Sequence, residues 1–255
     1  MTSSSIKSTI FSIQVKMARA YEHGDTLNKE IRSFINSKPY RISREFNRDA
    51  REQIWKLETD PPVVPSRIHG IIGDTISNLR SALDHIVWQL VLANGQTPTR
   101  RNAFPICAKK AEFQDRGTPM LGGVGSEPKA IIERFQPCNG GDRALWVLNE
   151  LSNIDKHRFL PVIFVNVTSV KALSVIPIPS KASIEIIINT GPIQRGAELL
   201  RLAQCDVEVD FEPEFGIAFG DGTPVANDTV MDVFRATWAS VTKVADTLQP
   251  FIEGA

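Results

Sequence analysis

Apolar residues recur at helical spacing from about Ile6 to Ile35, with Ile10, Ile13, Met17, Tyr21, Leu27, Ile31 and Phe34 on one stripe. The pattern predicts a long first helix, with Gly24 as a point of interruption and Pro39 as its stop. "YRISREF" and "EQIWKLE" then alternate apolar and polar positions on either side of the polar "NRDAR", which predicts a β-hairpin. "DPPVVPS" is a stiff connector. A second helix is expected from about Ser66 to Ala93, stopped by Asn-Gly. Residues 95–141 are rich in Gly and Pro, with a short helix expected at 128–135. "GDRALWVLNELSNIDKHRFL" reads as a third main helix capped by Asp142.

The period then changes. "FLPVIFVNV", "ALSVIPI", "ASIEIIIN", "CDVEVDF" and "FGIAF" are β-rich runs bounded by Gly, Pro, Asn and Ser, and predict an antiparallel sheet. A last helix follows, capped by Asn227 or Asp228. The fold class is α+β: N-terminal helices with an inserted β-hairpin, a C-terminal antiparallel sheet and a closing C-terminal helix. The expected organisation is a single domain over 1–255, which divides naturally into a mainly helical 1–158 and a sheet with final helix at 159–255.

Composition narrows the function classes only slightly. The chain has 255 residues, 42% hydrophobic and 23% charged, with zero formal net charge. The charges are unevenly spread. Residues 1–101 hold 15 Lys/Arg and 10 Asp/Glu, whereas residues 161–255 hold 6 and 12. A helical, basic first part leans toward an anionic partner. Cys107, Cys138 and Cys205 are far apart and form no CxxC, which argues against a disulfide framework or a thiolate zinc site and fits a reducing compartment. The apolar start "STIFSIQVKMARA" is interrupted by Ser12, Gln14 and Lys16, so it reads as helix rather than leader. No apolar run approaches the roughly 20 residues of a membrane span. A cytoplasmic protein with no membrane partner and no cofactor is expected.

Two polar constellations remain. On the second helix, Asp74, Asn78, Ser81, His85 and Trp88 lie nearly opposite the apolar stripe, flanked by Ser77, Arg80 and Asp84. Short hydrogen-bonding side chains, a His and a Trp suit a packed or ligand-lined surface better than a solvated one. On the third helix, Trp146, Glu150, Asn153 and His157 share a stripe, and Asp155, Lys156, His157 and Arg158 crowd the helix end. Cations there are also favoured by the helix dipole. If both polar stripes are packed, the two helices lie side by side, with His85 within reach of 149–157. His69 with Asp74, or Asp155 with His157, would ligate a metal only if the two helices converge. The chain has no phosphate-binding Gly-Lys loop, no GxSxG and no HExxH.

The strings "GDTISNLRSALDHIVWQL", "FPI", "QPCNGGDRALWVLNELSNIDKHRFL" and "NSKPYRISRE" resemble a widespread group of uncharacterised bacterial proteins, most specifically at "LRSALDH" and "NIDKHR". Arg80-x4-His85 is more loosely similar to the helical HEPN superfamily of ribonuclease toxins and defence proteins, whose signature is an Arg and a His with four to six residues between them. Ser81 stands where many HEPN chains carry Asn, Asp or His. That resemblance implies a metal-independent ribonuclease. His85 would move the proton of a ribose hydroxyl, Arg80 would hold the phosphate, and Asp84 and Asn78 would tune the pair. Arg80 and His85 project about 140° apart on one helix, so the resemblance also implies a homodimer with facing motif helices. Ser81, Asn153, Asp155, Lys156, His157 and Arg158 complete the candidate binding set, with RNA as the expected partner. Two alternatives stay open: a non-catalytic binding protein with a buried polar network, and a metal-dependent hydrolase using His85, Asp155 and His157.

Overall fold

The computed structural model describes residues 3–172, 185–204 and 211–254. Helix α1 (Ser3–Asn36) runs through Gly24 without a break. A Cβ at Gly24 would sit 2.3 Å from the Phe234 ring, so the glycine marks a close helix contact rather than an interruption. Strands β1 (Ile42–Asn47) and β2 (Glu52–Leu57) form the expected antiparallel hairpin. Helix α2 (Ser66–Ala93) ends at Asn94, and Gly95 follows with a left-handed φ of 69°.

Helix α3 (Ser126–Phe135) and helix α4 (Arg143–Asp155) follow. Asp142 caps α4 by accepting the Ala144 N–H at 2.9 Å. Five further strands come next: β3 (Val162–Ala172), β4 (Glu185–Ile188), β5 (Gly191–Pro192), β6 (Glu198–Ala203) and β7 (Phe211–Phe219). Helix α5 (Val230–Glu253) closes the fold. Its cap is Thr229, which accepts the Asp232 N–H at 3.2 Å, and neither Asn227 nor Asp228 takes that place. Asn227 adopts φ 71°, which makes it a turn residue.

Among the described residues the strands form two antiparallel sheets rather than one, ordered β1-β2-β6-β4 and β5-β3-β7. The hairpin is therefore built into the later sheet, with β2 paired to β6. Strand β6, "ELLRLA", reads as helix by residue preference. Its pairing on both sides overrides that preference. Asn166 on β3 joins the two sheets, donating to the Asn189 and Leu199 carbonyls at 2.8 Å each. All of the predicted run "ALSVIPI" after Ala172, the start of "ASIEIIIN" and nearly all of "CDVEVDF" lie outside the described residues.

Helix α2 is the axis of the helical layer. It packs on α1, α4 and α5. Its stripe Leu79, Leu83 and Ile86 is fully buried, and each such side chain contributes about 1.5–3 kcal/mol of apolar burial. Helix α1 runs antiparallel to it, with Gln89 donating to Ser12 at one end and Arg67 paired to Glu30 at the other. No helix among the described residues is long and apolar enough to cross a membrane.

Candidate functional site: two polar clusters on one helix

The first cluster lies at Arg80. One arm of its guanidinium donates to the Asp84 carboxylate at 2.6 Å, and the other donates to the Phe104 carbonyl at 2.9 Å. The same Asp84 oxygen accepts the Phe104 N–H at 2.9 Å. Arg80 and Asp84 thus bind both backbone groups of one buried residue, and the Arg80 side chain is only 15% exposed. Gln136 holds the same loop from the other side. It is fully buried, accepts the Cys107 N–H at 3.0 Å and donates to the Pro105 carbonyl at 2.7 Å. The loop "FPIC" has no secondary structure of its own, so side chains must satisfy its buried backbone groups.

His85 turns away from this arrangement toward α1. Burial holds its imidazole below the ordinary value, Lys16 adds to that, and Asp84 opposes it. Asn78 donates back to the Asp74 carbonyl at 2.8 Å, and Ser81 is half-buried on the same edge. Within one chain Arg80 and His85 therefore do not converge.

The second cluster lies near the start of α2, about three turns away. Helices α2 and α4 do pack together, but the part of α2 that meets the end of α4 is His69–Asp74. His85 is about 18 Å further along the helix axis than Gly73. The two helices lie side by side as expected, but His85 stands away from the end of α4 at Asp155, which corrects its expected approach there. The same offset separates His85 from Asp155 and His157, so the ligand set of the metal-hydrolase alternative does not assemble. Among the described residues no group of three or more His, Cys, Asp or Glu is arranged to hold a metal.

What assembles instead is an open dish of about 470 Å³, whose lining includes His69, Asp74, Asp155, His157, Arg158 and Phe159. Two helix glycines shape it. At Gly73 a Cβ would lie 2.7 Å from the Asp155 carboxylate, so glycine permits that close approach. At Gly70 no atom lies within 4 Å of an added Cβ, which leaves the dish open. His69 Nδ1 lies 3.0 Å from the Leu160 carbonyl. A carbonyl only accepts, so Nδ1 carries the proton and Nε2 is the basic nitrogen of the neutral ring. The His69 ring also meets Phe159, at 6.2 Å between centroids. Phe159 is 72% exposed. Burial raises the proton affinity of Asp155, and neighbouring Asp74 raises it further. The Arg158 guanidinium extends toward the Gly222 turn. Asn153 and Lys156 stand outside the dish, paired with each other at 3.4 Å.

Of the sequence-based candidates, Asp155, His157 and Arg158 come together here. Arg80, Asp84, His85, Asn78 and Ser81 do not join them. The sequence pattern puts Phe159 at the junction of the third helix and the first strand run, whereas α4 ends at Asp155 and β3 begins only at Val162. Gly70 and Gly73 were the available signal for this site. Each glycine inside a helix costs about 1 kcal/mol against Ala, so a pair four positions or fewer apart points to a close approach or an opening. Comparisons with known protein families, curated proteins and solved structures give no match for the chain.

Proposed function

We propose that the protein is a metal-independent ribonuclease that works in the dish between α2 and α4. One observation carries this: His69 on α2 and the consecutive His157, Arg158 and exposed Phe159 that follow α4 line one open concavity. Cleavage of RNA through its own 2′-hydroxyl needs a base for that hydroxyl, an acid for the leaving 5′-oxygen and a cation beside the phosphate. His69 Nε2 is the base. His157 is the acid, and Arg158 faces the phosphate oxygens. Phe159 stacks a base, and Asp74 with Asp155 accepts from ribose hydroxyls. The dish is complete within one chain, so no second copy is required.

The test is cleavage of single-stranded RNA by purified protein in excess chelator, with the products analysed for 2′,3′-cyclic phosphate ends. His69→Ala and His157→Ala should each lose at least about a hundredfold in rate, and His85→Ala should retain it. Loss in His85→Ala with His69→Ala unaffected would move the chemistry to the middle of α2. A wild-type protein without cleavage would retire the ribonuclease proposal.

A further inference from the structure

We infer that Cys107 and Cys138 form an oxidation site, closing a reversible disulfide between the "FPIC" loop and the turn after α3 when a peroxide is present. Both are free thiols, and they stand 31 positions apart in the chain. The Cys138 N–H donates to the Cys107 carbonyl at 3.2 Å. One backbone bond of that length holds the two Cα atoms about 6 Å apart, inside the span of a disulfide, and the Cys138 thiol is near enough to act on that of Cys107. Gln136 fixes this register. Its side chain bonds the Cys107 N–H and the Pro105 carbonyl, and it stands only two residues before Cys138. The loop that would be tied is already held at Phe104 by Arg80 and Asp84, so both sulfurs sit on anchored backbone.

The two thiols are unequal in a way that assigns their roles. Cys138 is half-buried, whereas Cys107 is only 4% exposed. Peroxide therefore meets Cys138 first. The Cys138 thiolate attacks one peroxide oxygen, the O–O bond breaks, and the departing hydroxide takes a proton to become water. Sulfur is oxidised to the sulfenic acid and the peroxide is reduced. The Cys107 thiolate then attacks the Cys138 sulfur. The S–S bond forms, the S–OH bond breaks, and hydroxide leaves as water with the proton given up by Cys107. In sum, two thiols and one hydrogen peroxide give one disulfide and two waters. Burial, aided by Glu112 and Cys138, pushes the Cys107 thiol up to about 11, so the second step quickens as pH rises.

The experiment uses the full chain with Cys205→Ser, so that two thiols remain. After brief treatment with hydrogen peroxide, free thiols are alkylated and the protein is digested and weighed. The expected result is a peptide pair joined through Cys107 and Cys138, two hydrogens lighter than the reduced pair and restored by dithiothreitol. The closed ring should raise the thermal midpoint by about 10 °C. In Cys107→Ser, Cys138 should be trapped as a sulfenic acid that a dimedone probe labels. In Cys138→Ser, Cys107 should stay reduced. Progress of Cys138 to the sulfinic acid beside an untouched Cys107, or alkylation of both thiols after treatment, would overturn the proposal.

Discussion

Helix α2 carries two polar clusters, and they differ in whether protein groups satisfy protein groups. At Arg80 the polar atoms meet one another: guanidinium to carboxylate and carbonyl, carboxylate to N–H, and Gln136 to the rest of the same loop. The dish is open, and among the described residues its one side-chain hydrogen bond runs from His69 Nδ1 to the Leu160 carbonyl. A closed set of polar partners fixes a backbone. An open set is available to bind something else. Arg80 and Asp84 hold the Phe104 backbone, and in the proposed function recognition falls to His69, His157 and Arg158.

The comparison breaks most visibly at Gln136. Gln136→Leu leaves the buried Cys107 N–H and Pro105 carbonyl without partners and should cost about 3 kcal/mol in urea unfolding. Arg80→Ala should cost about 2 kcal/mol, because the Phe104 carbonyl loses its donor while Asp84 keeps the Phe104 N–H. Arg80→Lys should recover only part of this, since an ammonium lacks the two-armed fork. Costs under about 0.5 kcal/mol for Gln136→Leu and Arg80→Ala alike would show that the loop does not depend on these partners.

Gly70→Leu should do the opposite. It removes a helix glycine at an exposed position and should stabilise by up to about 1 kcal/mol, while filling the dish and abolishing RNA cleavage. A variant that is both more stable and fully active would place the ligand elsewhere. The smallest effect is at Asp155. Its folded-state proton affinity is raised, so its stabilising contribution is present below the ordinary carboxylate value of about 4 and is lost as pH rises through the raised value. Asp155→Asn should therefore raise the thermal midpoint at pH 7 and leave it unchanged at pH 3. An equal change at both values would contradict the assigned cause.

The hydrophobic pattern made the helices and the hairpin legible, because those elements follow local rules. Asp142 caps α4 and Asn94-Gly95 stops α2 as the sequence predicts. Strand β6 was missed because Leu, Glu and Arg favour helix, and its conformation is set by partners distant in the chain. At the site, residue types were legible and their roles were not. Arg80-x4-His85 looked like a reacting pair because helical spacing does not reveal that Phe104 occupies the arginine. Asp155, His157 and Arg158 were found from their crowding at a helix end. Their partner on α2, His69 rather than His85, depends on how far two helices slide past each other, which neither sequence pattern encodes.

The four histidines, His23, His69, His85 and His157, make one measurement decisive. Their carbon-bound ring protons can be resolved by proton NMR, assigned with single His→Ala variants, and followed as uridine 3′-monophosphate is added. Saturable shifts at His69 and His157, with His23 and His85 unmoved, are the predicted result. Shifts at His85 with His69 and His157 unmoved, or no shift at any histidine, would contradict the assignment of recognition to the dish.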